Sequence, residues 1–158
     1  MREFNENDAD FIVNLVNSEG WLKYIGDKNI KSTDQARGYL VNGPLKSYTD
    51  NGFGLSLVEL KKDKSPIGMC GIINRDSLEH PDIGFAFLPG YSGQGYGYEI
   101  SKRTLQYAID DLKLTKIVAI TVPENIASIK LLEKLGLRFE KNIKAQNDTT
   151  DLLLFGTA

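Results

Sequence analysis

Asp82-Ile83-Gly84-Phe85-Ala86-Phe87-Leu88-Pro89-Gly90-Tyr91-Ser92-Gly93-Gln94-Gly95-Tyr96-Gly97 reads as a strand, a stop and a glycine-rich turn in one unbroken run. Ile83, Phe85 and Phe87 alternate with Gly84, Ala86 and Leu88, which is the period of a strand, and Pro89-Gly90 ends it. Beyond the turn Leu105, Ala108, Ile109 and Leu112 recur at i, i+3, i+4 and i+7, the mark of an amphipathic helix. Glycines at 93, 95 and 97 are expected to take positive φ and bring their N–H groups close to a ligand. The first amides of a helix lack partners and the helix dipole is positive there, so a diphosphate fits such a place. A sharp strand-to-helix turn with no ligand is the plainer alternative.

On the N-terminal side the spacing predicts two more strands. Phe53, Leu55 and Leu57 alternate, and Ile67, Met69, Gly71 and Ile73 alternate with the equally apolar Cys70 and Ile72, so the second strand is expected to be central. The links, Lys61 to Ser65 and Asn74 to Pro81, are short and polar, which implies an antiparallel meander ending at Leu88. The first third is helical in pattern. Asn7 or Asp8 is expected to cap a segment with Phe11, Ile12, Leu15 and Val16 on one face, and Ser32-Thr33-Asp34-Gln35 has the form of a capping box. The helix it opens, with Ala36, Tyr39 and Leu40 inward, should fail by Asn42-Gly43-Pro44. On the C-terminal side Ile117 to Ile120 reads as a short buried strand. Asn125 caps a helix with Ile126, Ile129, Leu132 and Leu135 inward and Gly136 just past its end, and strands near Arg138–Ile143 and Thr149–Phe155 follow. The order implies one α+β domain over residues 1–158 with a mixed, mainly antiparallel sheet.

Composition agrees with an ordinary globular chain: 158 residues, 41% apolar, 25% charged. A net charge of −2 offers no general attraction to nucleic acid. Met1 to Glu6 has no apolar signal-peptide region, and no stretch approaches the roughly 18 apolar residues of a membrane span, so no membrane partner is expected. Cys70 is the only cysteine, which rules out an intrachain disulfide. Together these point to the cytoplasm. No metal site is visible.

Two familiar phosphate turns fail against residues 90–98. A Walker A loop needs Gly-Lys-Ser or Gly-Lys-Thr, and here Tyr98-Glu99 follows Gly97. A dinucleotide fingerprint needs glycine at 98 within a βαβ unit, and the preceding strands form a meander instead. Ser92-Gly93-Gln94-Gly95-Tyr96-Gly97 resembles the coenzyme A pyrophosphate loop of the GNAT superfamily of N-acetyltransferases. Asn125-Ile126-Ala127-Ser128 through Leu132-Glu133-Lys134-Leu135-Gly136-Leu137 resembles that family's second cofactor motif, and Asp82 to Pro89 resembles the strand leading into its loop. Within the superfamily the set is most similar to the RimJ/RimL-like group of ribosomal-protein N-terminal acetyltransferases.

That resemblance implies the GNAT fold, flanked by helices and splayed into a V after Leu88, with acetyl-CoA in the cleft. It places pantetheine against backbone groups of Phe87 and Leu88, and the pyrophosphate on Gly93, Gln94, Gly95, Tyr96 and Gly97. Asn125 and Ser128 line the thioester end. It also implies a primary-amine acceptor (a protein N-terminus or a small molecule), and a homodimer. Two departures matter. Ser92 stands where the family usually has glutamine or arginine. Leu132 stands where many members have the tyrosine that protonates the leaving thiolate, and leucine cannot donate a proton. By the same resemblance Ser128 takes that role; otherwise it is a helix-start hydroxyl satisfying the backbone. Asp82 is the candidate base, or else an exposed strand-end carboxylate. The resemblance also implies a first strand before Phe4–Asp10; with little preceding the first helix here, either that strand is abbreviated or the chain is trimmed. Trp21, Leu22, Tyr24 and Ile25 are either a wall of the acceptor cleft or core. Tyr91, Tyr96 and Tyr98 either flank the cofactor or pack over the turn. Cys70 reads as a buried thiol and His80 as a surface histidine. The alternative to an enzyme is a CoA-binding module without catalysis.

Overall fold

Asn5 opens the first helical region. Its side chain accepts from the Asn7 amide and its own amide donates to Asp8 Oδ2 at 2.9 Å, so the cap is Asn5 and not Asn7 or Asp8. A short 3-10 turn over Glu6–Asp8 leads into α1, Ala9–Val16, with Phe11, Ile12, Leu15 and Val16 buried as their spacing requires. Next comes α2, Glu19–Tyr24. The Ser32 capping box forms as expected, Ser32 Oγ accepting from the Gln35 amide at 3.2 Å, and starts α3, Thr33–Leu40. The helical path does not fail at Asn42-Gly43-Pro44. A π-helical turn, Val41–Leu45, carries it past Pro44 into α4, Lys46–Asn51, and Gly52 at φ +75° ends it. Proline has no N–H to donate, and a widened turn accommodates that gap without breaking the path.

The computed structural model describes residues 1–146 and 149–158. Seven strands form one open sheet in the order β1-β2-β3-β4-β5-β7-β6. They are β1 (Arg2–Glu3), β2 (Leu55–Glu59), β3 (Pro66–Ile73), β4 (Asp82–Phe87), β5 (Val118–Thr121), β6 (Arg138–Lys144) and β7 (Asp151–Gly156). The first strand is indeed short. β2, β3 and β4 form the antiparallel meander, and β3 is central and buried on both faces. Every pairing is antiparallel except β4 with β5. The architecture is therefore the expected α+β one, with a mixed, mainly antiparallel sheet.

Two apolar cores lie on the two faces of this sheet. On one, Leu57 and Met69 pack with α1, α2 and α3, and Ala86 and Leu88 sit against that cluster. On the other, Val58, Cys70, Ile72 and Ile83 pack with Leu105 and Ala108 of α5, Tyr96–Asp110, and with Leu132 of α6, Ile126–Lys134. Ile109 departs from the expected pattern and is 50% exposed. The inward face of α5 is Ser101, Thr104, Leu105 and Ala108, and the two hydroxyls lie 3.8 and 3.4 Å from the Cys70 sulfur. Burial among them pushes the Cys70 thiol up, as expected of a structural thiol. Ile126 is likewise exposed, because it occupies the first turn of α6 beyond the edge of the core. Among the described residues no helix is long and apolar enough to cross a membrane.

Two predictions follow from this packing. A β-carbon at Gly71 would lie 2.3 Å from the Gly54 carbonyl oxygen and 2.6 Å from the Leu55 Cα, both backbone. Gly71→Ala should therefore cost about 3 kcal/mol in urea unfolding. Burial pushes the Asp8 carboxyl up, but the Arg2 guanidinium and the Asn5 amide outweigh it and hold it below its usual value of 3.8. The advantage of wild type over Asp8→Asn should then be full above about pH 4. It should shrink as pH falls through the lowered native value.

Candidate functional site

β4 and β5 touch at one place only, Asp82 opposite Val118, with the Val118 amide on the Pro81 carbonyl at 3.0 Å. Past that bridge the two strands part, and the sheet opens into a V. The Leu88 amide donates to the Ile67 carbonyl at 2.8 Å, so Leu88, Ala86, Gly84 and Asp82 form the hydrogen-bonded pairs with β3. The same alternation turns the N–H and C=O groups of Phe85 and Phe87 toward β5, where no ladder receives them. Leu88 thus differs from the expectation: its amide is spent on Ile67 and its carbonyl accepts from the Tyr91 amide at 3.0 Å, so both of its backbone groups are engaged within the chain. Phe87 keeps both of its groups.

The glycine-rich turn stands at the mouth of this V. Gly93 and Gly95 adopt φ of +74° and +86°, and Gly95 is the residue before α5. Gly97 does not take positive φ, contrary to the sequence reading. It lies in the first turn of α5, where an added β-carbon would come within 3.3 Å of Leu131 Cδ2 and 3.6 Å of the Phe87 ring. Its lack of a side chain lets α5 close on β4 and α6. Among the described residues the amides of Gly93 and of Gly95 through Tyr98 donate to no group of the chain. Gln94 turns its side chain back, Nε2 donating to the Gly90 carbonyl at 2.8 Å, which braces the turn. A row of free amides at a helix N-terminus, on glycines that expose the backbone, suits a diphosphate.

α6 begins on the other arm of the V. Asn125 Oδ1 accepts from the Ser128 amide at 3.2 Å and so fixes the first turn. The Ser128 hydroxyl makes no hydrogen bond among the described residues, so it is not spent on the backbone. Leu132 is 1% exposed and belongs to the core. Tyr91 and Tyr96 pack tilted with ring centroids 6.2 Å apart, and Lys134 Nζ lies 4.3 Å from the centre of the Tyr98 ring.

Asp82 is not an exposed strand-end carboxylate. It is 1% exposed, and Arg75 Nε donates to both of its oxygens at 2.9 and 3.1 Å. Burial pushes its carboxyl above the usual range, and the Arg75 charge pulls it part of the way back. It sits where the V is closed, three residues before Phe85, roughly 10 Å along the strand. Ser128 follows the far end of β5. The structure therefore does not bring the two candidate catalytic residues together. Trp21 is buried in the core with its indole N–H unpaired, while Leu22 and Ile25 are exposed. His80 is half-buried and lines a hollow of about 300 Å³ with Glu79, Lys116, Val118 and Glu140, apart from the glycine turn. Sequence reasoning missed Arg75 because its partner is fixed only when β3 and β4 pair.

Comparison with known proteins gives a consistent result. An acetyltransferase (GNAT) domain model matches residues 1–138. The uncharacterized protein YkkB of Bacillus subtilis (strain 168) is 31% identical over 102 residues, 62% of this chain, and the match spans 59% of that relative's length. The uncharacterized N-acetyltransferase YnaD of the same organism is 27% identical over 155 residues, 96% of this chain and 88% of that one. Among solved structures, a ribosomal-protein-S5-alanine acetyltransferase from Vibrio fischeri is similar with a TM-score of 0.82 at 19% identity, over 99% of this chain and 90% of that one. A spermidine N-acetyltransferase from Vibrio cholerae, solved in complex with CoA and spermine, has a TM-score of 0.79 at 24% identity, over 98% and 92%. At those identities the structural likeness establishes the fold.

The geometry of the turn yields a binding prediction. A side chain at Gly95 is strained by roughly 1–2 kcal/mol in the left-handed region. Gly95→Ala should raise the calorimetric Kd for coenzyme A about tenfold, with little change in the far-ultraviolet circular dichroism.

Proposed function

The chain belongs to the GNAT acetyltransferase family, and from that premise we propose that it moves the acetyl group of acetyl-CoA to a primary amine by direct attack within a ternary complex. It is an acetyl-CoA-dependent acyltransferase. The observation that carries the site assignment is the row of unpartnered amides at Gly93 and Gly95–Tyr98, at the mouth of a cleft whose β4 wall keeps the Phe85 and Phe87 backbone free. The amides take the pyrophosphate, with Gln94 bracing the turn. The Phe87 N–H and C=O take the pantetheine amides, and Asn125 and Ser128 border the thioester end.

In the transfer the amine nitrogen bonds to the thioester carbonyl carbon and the C–S bond breaks. The carbonyl oxygen gains charge transiently, and the free Phe85 amide donates to it. The departing sulfur takes a proton from the Ser128 hydroxyl, which has no partner among the described residues and regains a proton from water as it gives its own; Leu132 has no proton to give. The attacking nitrogen loses its extra proton to water. An α-amine, with pKa near 8, is partly neutral at pH 7, whereas a lysine amine near 10.4 is not. Such an acceptor needs no strong base at Asp82, whose two oxygens are already held by Arg75. The RimJ/RimL-like motifs favour a protein N-terminus as acceptor, and a small-molecule amine is the other reading. The second reading of the chain, a CoA-binding module without catalysis, draws on the core position of Leu132.

With acetyl-CoA and a panel of primary amines, free thiol should appear at a rate that rises with pH toward the amine pKa. Ser128→Ala should lower kcat roughly a hundredfold while the Kd for CoA stays within about twofold, since the alanine keeps the amide that Asn125 holds. Tight CoA binding with no thiol release on any amine would assign the chain to the module instead.

A further inference from the structure

Arg75 leaves most of its donors unused. Only Nε is engaged, on the two Asp82 oxygens at 2.9 and 3.1 Å. Among the described residues neither Nη group has a partner, although the side chain is 42% exposed against 1% for Asp82. A guanidinium held by Nε presents its opposite edge, two parallel N–H groups, outward in a fixed plane. That edge matches a carboxylate in bidentate geometry. Asp82 is buried in the first position of β4, so it orients the arginine from a fixed strand.

Position adds a second observation. Asp82, Gly84 and Ala86 share one face of β4, and Ala86 and Leu88 pack against the helical core on that face. Tyr39 of α3 packs against the same core, and its hydroxyl, which has no hydrogen-bond partner among the described residues, feels the Arg75 charge. A fork of N–H donors and a free phenol thus border the face of β4 that leads toward the open end of the V. The opposite face is filled by α5. An acceptor amine approaching the thioester from the helical side passes this pair.

We infer that Arg75, oriented by Asp82 and assisted by the Tyr39 hydroxyl, anchors a carboxylate on the acceptor, so that the preferred substrates are amines that carry a carboxylate. This rests on the acyl-transfer reading above and narrows it. A polyamine offers nothing for this fork to hold, and the positive charge of Arg75 repels it. Asp82 acts here as a positioning residue and Arg75 as a specificity-determining one.

The experiment uses a ladder of amine-to-carboxylate spacing: glycine, β-alanine and 4-aminobutyrate, each against its carboxamide, with spermidine as the cationic comparison. Wild-type kcat/KM should favour the carboxylate over its carboxamide by at least tenfold on one rung. Arg75→Gln should bring that ratio down to about one, and comparing the ratio between proteins cancels the differing amine basicities. Arg75→Gln leaves a buried carboxylate without its partner, so the double variant Arg75→Gln/Asp82→Asn is measured beside it, with thermal melts to show that each is folded. In parallel, the N-acetyl products of the three acids and their amides are titrated into CoA-saturated protein by calorimetry. Carboxylate products that bind no better than their amides in wild type, or a preference that survives in the folded double variant, would overturn the anchor. If no amine is turned over yet the binding preference is present and depends on Arg75, the anchor stands and the acyl-transfer reading fails.

Discussion

A single parallel bridge, Asp82 to Val118, holds the two halves of the sheet together, and everything functional depends on its being single. Strands that continued side by side past it would spend the Phe85 and Phe87 backbone groups on β5. Because they part, a β-strand edge lies exposed inside the molecule, with N–H and C=O groups that must find partners or remain unpaired at a cost of about 1–3 kcal/mol each when buried. A ligand with its own amides, laid along that edge, supplies them. The cleft is a missing stretch of ladder.

What keeps the strands apart is packing on both arms. The Phe87 ring fills the space beside Gly68 and Gly97, where a β-carbon on either would approach it to 2.5 and 3.6 Å. α5 and α6 close against each other through Leu131 at the same place. The glycine turn therefore has two jobs. Gly93 and Gly95 supply the left-handed backbone that exposes a row of amides, while Gly97 supplies the thinness that lets α5 begin close to the cleft. The closed end of the V is held differently, by a buried carboxylate and a half-solvated guanidinium. A buried ion pair of this kind contributes little net stability; what it does is hold the guanidinium in one orientation.

Much of the site was legible before folding. Glycine spacing, the Asn125 cap and the Ser32 capping box are properties of a few consecutive residues, and dihedral preference and local hydrogen bonding decide them. The same holds for the alternation in β2, β3 and β4. Errors arose where a residue's fate depends on contacts outside its own local pattern. Asn5 captures the first cap because Asp8 answers it while also receiving Arg2. Pro44 passes within a helical path because the π-helical turn, Val41–Leu45, takes up its missing donor. Ile109 is displaced from the inward face of α5 by Ser101 and Thr104, whose hydroxyls meet a cysteine on β3.

The sequence by itself determined the order of elements, the antiparallel meander, the glycine turn between β4 and α5 and the family, since each is carried by local pattern or contiguous motif. Only the tertiary structure decided that β4 meets β5 at one residue pair, that the Leu88 amide is spent on Ile67, and that Asp82 lies buried under Arg75 with the outer edge of that arginine free. Strand register, burial and ion pairing come into being only when the strands pair, and residue type does not announce its partner even where, as with Arg75 and Asp82, the two lie only seven residues apart.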